Sequence, residues 1–175
     1  MRTLAWALVV GWLVLPLSTM AAADDPCAAF TWDVHHERAL FAAAPQSVAA
    51  AAKLAAAPAL AGEHLYALQL LPQAQVSFVV APGKHRSADG PYAGLARVTV
   101  PQAGSYRISL DAPLWIDVLA NGGALAARDF QGRPGCSAPH KIVEFELPAN
   151  TPLTLQFSGA QSATVKLALS RSPGP

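Results

Sequence analysis

VTVPQAGSYRISL, residues 98–110, reads as a strand, a proline-marked break and a second strand. Val98 and Val100 alternate with Thr99, and Tyr106, Ile108 and Leu110 alternate with Arg107 and Ser109. Side chains on a strand point to opposite faces in turn, so each run offers one apolar face and one polar face. Pro101 supplies no backbone donor and Gly104 tolerates unusual backbone angles, which puts a turn between the two runs.

FELPANTPLTLQF, residues 145–157, repeats this pattern without a gap. Phe145, Leu147, Pro148, Leu155 and Phe157 stand where Val98, Val100, Pro101, Ile108 and Leu110 stand in the first copy. Two copies are too few for a solenoid. They read as two similar hairpins in one sandwich.

Outward from these units the same grammar continues. Candidate strands are 63–71, 75–80, 93–100, 105–110, 114–120, 124–130, 140–147, 153–159 and 164–170. Asn121-Gly122-Gly123 is a hairpin signal. Alternation selects a core of Val76, Phe78 and Val80; Ala96, Val98 and Val100; Tyr106, Ile108 and Leu110; Leu114, Ile116 and Val118; Val143, Phe145 and Leu147; Leu153, Leu155 and Phe157; and Val165, Leu167 and Leu169. The fold class is mainly β: an antiparallel, jelly-roll-like β-sandwich of about eight or nine short strands carrying one or two short N-terminal helices. The sandwich is expected over 62–172, with 173–175 as a tail.

The N-terminal third is different. Residues 1–23 have the form of a signal peptide: Arg2, an apolar run from Leu4 to Leu17, and small residues Ala21-Ala22-Ala23 before Asp24. Removing these from the 175 residues leaves 152, one domain's worth. It also removes Arg2, leaving 11 Lys+Arg against 11 Asp+Glu. A neutral chain lacks the basic surface that nucleic acid or an anionic membrane requires. Periplasmic or secreted localisation follows, with no membrane attachment after cleavage. The two cysteines, Cys27 and Cys136, then read as a disulfide.

Residues 24–61 are expected to be a helical segment packed on the sandwich. A helix over 31–43 would start at Thr31 and stop before Pro45. Residues 42–61 contain 12 alanines and read as a second short helix or a helical linker.

The stretch VTVPQAGSYRISL followed by LWIDVLANGG resembles bacterial pre-peptidase C-terminal domains and related jelly-roll sandwiches over about residues 92–170. The resemblance implies an exported, mostly non-enzymatic sandwich that aids folding, secretion or binding. The leader followed by Cys27, Phe30, Trp32, Asp33, Val34 and Glu37 resembles a set of small exported bacterial proteins, some labelled aromatic-ring dioxygenases. A cupin-type iron site would need clustered His and carboxylate ligands on strands, and the chain has no His-x-His pair.

Three places could carry chemistry. On a helix Asp33, His36 and Glu37 share a face, and a Cys27–Cys136 bridge would bring His140 towards them. Asp33, His36 and His140 could then hold copper or zinc. The other reading is an amphipathic helix with His36 beneath Trp32 and a solvated Asp33/Glu37 face. Lys84, His85 and Arg86, in the loop 81–92, could bind a small anion or an acidic partner, or be plain solvated loop. Trp115 is out of phase with Leu114, Ile116 and Val118 and so faces outward. It could stack on a sugar, or receive the N-terminal helices.

No Gly-x-Ser-x-Gly elbow, P-loop, dinucleotide fingerprint or His-Glu-x-x-His motif is present. The function expected is an exported, non-catalytic binding, accessory or structural module with a protein or small-molecule partner. The alternatives are a periplasmic metal-binding protein and a carbohydrate-binding module. A cofactor, copper or zinc, enters only with the first of these.

Overall fold

A computed structural model describes residues 25–84 and 89–173 of the chain. The expected leader, 1–23, lies outside the described residues. Among these residues one α-helix, α1 (His35–Phe41), precedes twelve strands: β1 (Gln46–Ala49), β2 (Ala59–Leu60), β3 (Leu65–Gln69), β4 (Leu71–Pro72), β5 (Tyr92–Val98), β6 (Gly104–Leu110), β7 (Trp115–Ala120), β8 (Gly123–Ala124), β9 (Ala127–Gly132), β10 (Lys141–Leu147), β11 (Leu153–Ala160) and β12 (Thr164–Arg171). They form two sheets, in the orders β1-β3-β12-β6-β10-β9 and β2-β5-β11-β7-β8, with β4 also on β5. The sheets are mixed, because β1 runs parallel to β3 and β2 parallel to β5. Every apolar residue that alternation selects between Ala96 and Leu169 lies in the one core cluster between the sheets.

The two repeated units are not hairpins. β5 lies in one sheet and β6 in the other, and β10 and β11 are divided in the same way. Each unit is paired with the other copy. β6 runs antiparallel to β10 and β5 antiparallel to β11. The pairing passes from one sheet to the other without a slip: Gly104 faces Leu147, and six residues away along each chain Val98 faces Leu153. One two-stranded ribbon is thus folded over at Pro101 and Pro148. The two breaks lie against each other, with Asn150 donating its N–H to the Val100 carbonyl. A six-residue step with a proline is too long for a tight hairpin, and strands that bury a full apolar face gain more by entering opposite sheets.

The alanine-rich segment is extended, contrary to its helix propensity. β1 joins β3, Ala51 and Leu95 exchange both backbone hydrogen bonds at 2.9 Å, and β2 joins β5. The run therefore steps from the edge of one sheet to the edge of the other and closes that side of the core. Alanine permits this close approach: a methyl group at Gly94 would stand 2.5 Å from Ala50 Cβ. Paired backbone and tertiary contact override a propensity worth a few tenths of a kcal/mol per residue.

Residues 75–80 are also not a strand. A short 3₁₀ turn, Gln73–Gln75, leads into an irregular segment. Val76 and Phe78 pack with Ala51, Ala57, Ala93 and Leu95 in a separate small cluster. The segment lies over β11: Gln156 takes the Val79 N–H at 3.0 Å and gives its own N–H to the Val80 carbonyl at 3.0 Å. The Asn121-Gly122 turn is as expected. Both residues have positive φ, 51° and 80°, as a two-residue hairpin of this kind requires, and it joins β7 to β8.

Candidate functional site

The expected helix starts four residues later than Thr31. Asp33 Oδ1 accepts the His35 N–H at 2.9 Å, while Thr31 is held by Gln131, which takes its N–H at 3.0 Å and donates to its hydroxyl at 2.6 Å. The Cys27–Cys136 disulfide is present, with a sulfur–sulfur distance of 2.06 Å. Arg133 also donates to the Ala29 carbonyl, so the start of the chain is tied to loop 131–139 as the cysteine pair implies.

The helix does not turn towards His140. His36 is half exposed, and its Nε2 is 2.6 Å from Glu63 Oε2. His140 Nδ1 lies 3.1 Å from the Cys136 carbonyl, at the far end of the loop. Among the described residues no three His, Cys, Asp or Glu side chains converge to hold a metal ion, and Asp33, His36 and His140 are not drawn together.

Glu37 is the reverse of the solvated residue expected: it is 0 % exposed. Its Oε1 accepts from Arg107 Nη1 at 3.2 Å and from Ser170 Oγ at 3.2 Å. Arg107 also donates to the Asp33 carbonyl at 2.8 Å and to Glu144 Oε2 at 3.3 Å, with its guanidinium 4.7 Å from the centre of the Trp32 ring. Burial pushes the Glu144 carboxyl up. Hydrogen bonds from Ser172 and Arg107, with the charges of Arg107 and Arg128, outweigh that and hold it below the usual glutamate range. Trp32 thus covers Arg107, not His36, and the cluster fastens α1 to β6 and β12.

Trp115 faces outward from β7, as its phase requires, but the N-terminal helix is on the other sheet. The residues above it come from loop 81–84. Gly83 donates its N–H to Asp117 Oδ2 at 3.3 Å, and Trp115 Nε1 donates to Asp117 Oδ1 at 2.8 Å. Lys84 Nζ lies 5.9 Å and Lys141 Nζ 5.3 Å from the centre of the Trp115 ring. His85 and Arg86 lie outside the described residues.

These groups rim a cleft of about 380 Å³. It opens where one sheet ends at β7 and β8 and the other at β9. Its walls are core residues, Leu114, Ile116, Val143 and Phe145, together with Leu125. Phe130 stands at its lip. It is opposite Val143 in the β9–β10 pair, so the two side chains share the inward face. Val143 is buried, yet Phe130 is 66 % exposed. The cause is topological. β8 has only two residues, so the second sheet stops short of the strand that carries Phe130.

β9 itself is protected as an edge. Asp129 faces Glu144 while Ala127 faces Phe145, so Arg128 is an extra, bulged residue. Phe130, Leu125 and Lys141 are the site residues that sequence reasoning missed. The signal was the single aromatic inside ARDFQG, 127–132, which alternation alone assigns to an ordinary buried face.

No protein-family model matches the chain, and neither a curated protein nor a solved structure matches it.

Proposed function

We propose that the chain is an exported, non-catalytic binding module and that the cleft between β7 and β9 is its ligand site. One observation carries the reading: Phe130 is placed on the inward face but left uncovered, above walls that are otherwise core. Apolar surface in a concave setting of this size is the usual character of a small-molecule site. Covering a side chain as large as phenylalanine contributes about 1.5–3 kcal/mol, so a ligand that completes the core there gains affinity.

Three features support the wider setting. The disulfide fits an oxidising compartment. The leader-like residues 1–23 fit the periplasm or secretion. The folded ribbon fits a jelly-roll and, with it, the resemblance to pre-peptidase C-terminal domains. A carbohydrate module is less well supported, because the Trp115 ring already has ammonium groups over it.

The test is titration with N-phenyl-1-naphthylamine, a neutral dye that brightens in apolar surroundings. The wild-type protein is expected to give a saturable rise. Phe130→Asp, on an exposed side chain, is expected to abolish it with little change in melting temperature. A wild-type protein that gives no rise, or a variant that binds the dye equally well, contradicts the assignment.

A further inference from the structure

We infer that the cleft receives an extended segment of a partner protein, added as a strand along β7 with its apolar side chains turned in against Phe130. The inference rests on the cleft being a ligand site and names its occupant. The ladder of β7 carries it. Backbone groups of a strand turn alternately to its two sides. Leu125 donates its N–H to the Val118 carbonyl at 2.7 Å, so the even-numbered residues of β7 turn theirs away from β11. The rest of the sheet keeps this phase: Leu95 and Arg97 donate away from β11, to the Ala51 and Pro58 carbonyls. After Leu125 the chain leaves for the other sheet. Lys141 Nζ donates to the Leu114 carbonyl at 3.0 Å and closes the edge at its other end. Between these two points Ile116 turns its N–H and C=O to the cleft, and no group among the described residues takes either. Backbone groups in so enclosed a place are normally paired, and an extended segment brings the matching carbonyl and N–H.

The side chains of such a segment fall where cover is missing. Opposite residues of neighbouring strands share a face, so the residue beside Ile116 turns inward. There it meets Phe130, left 66 % exposed because β8 has two residues. Charge does not select the segment, since Lys84 and Lys141 on the rim are met by Asp89 and Asp117. Backbone pairing and alternate apolar side chains do. A cleft of about 380 Å³, with β9 extending past it, admits one strand and not the edge of a second folded sandwich.

The experiment displaces the bound dye with two acetylated, amidated pentapeptides of one composition, Thr-Val-Thr-Leu-Thr and Val-Leu-Thr-Thr-Thr. The first turns both apolar side chains to one face of a strand and the second cannot. The first is expected to displace the dye at about tenfold lower concentration, the scale of one apolar side chain covered. At saturation it is also expected to slow hydrogen exchange at the Ile116 amide by about tenfold, the scale of one hydrogen bond. The dye, which brings no backbone carbonyl, leaves that amide nearly unchanged. Dye binding that neither peptide reverses overturns the added strand and leaves the cleft standing. So does equal displacement by the two peptides, or displacement with no slowing at Ile116. A dimer in light scattering that the dye dissociates gives the edge to a second copy of the chain and overturns the partner. Failure of the dye to bind the wild type overturns the cleft and this inference together.

Discussion

At the scale of the residue, the decisive fact is the company Glu37 keeps. A carboxylate with no exposure persists only with strong partners, and here those are Arg107 and Ser170. Its second oxygen, Oε2, makes no hydrogen bond. Arg107 supplies the charge that compensates this carboxylate. Arg107→Ala leaves the carboxylate buried and uncompensated and is expected to cost about 3–5 kcal/mol in urea unfolding. Glu37→Gln removes the buried charge while keeping the shape, and is expected to cost clearly less. Equal losses would mean that the cluster matters through packing and not through charge. None of this was readable from residues 33–37. Helical spacing puts Asp33 and Glu37 on one face, but α1 starts only at His35, so Asp33 stays exposed ahead of it while Glu37 is buried. The arginine that decides it is 70 residues away in the sequence.

At the scale of the element, strands were legible where apolar and polar residues alternate, and the core from Ala96 to Leu169 follows from that alternation alone. What alternation does not encode is the partner. The Val98–Leu110 and Phe145–Phe157 units look like hairpins because a strand, a turn and a strand are adjacent. In the structure each strand pairs with the other copy, and the turns become corners. The alanine run was misread for a different reason. Helix propensity favours it, but Gly94 and Ala50 together let two backbones come close enough to pair. Gly94→Ala is therefore expected to destabilise the protein by about 1–3 kcal/mol, since the new methyl would meet Ala50 Cβ at 2.5 Å and Leu70 Cδ2 at 3.1 Å. Adding Ala50→Gly is expected to restore part of that loss. Thermal unfolding of the two single variants and the double variant decides the matter, and strict additivity would contradict the contact.

At the scale of the whole molecule, the two sides of the sandwich differ. On one side the segment carrying β1 and β2 steps from sheet to sheet and seals the core. On the other side β8 ends after two residues, β9 extends past it, and the cleft remains. The outer faces are covered as well: α1 sits on β12 and β6, and residues 76–84 lie over β11 and β7. The open side is thus a place where core-facing apolar side chains reach solvent together. Its legibility in the sequence was partial. Trp115 and Lys84 were singled out, but the length of β8 and the exposure of Phe130 depend on how two sheets end. The most direct test is a set of ¹H–¹⁵N spectra of the protein titrated with N-phenyl-1-naphthylamine. The account predicts saturable shifts at the Trp115 indole N–H and at the backbone amides of residues 114–117, 125–132 and 140–145, with the α1 region unchanged. Shifts centred on α1 and Trp32, or none at saturating dye, would contradict it.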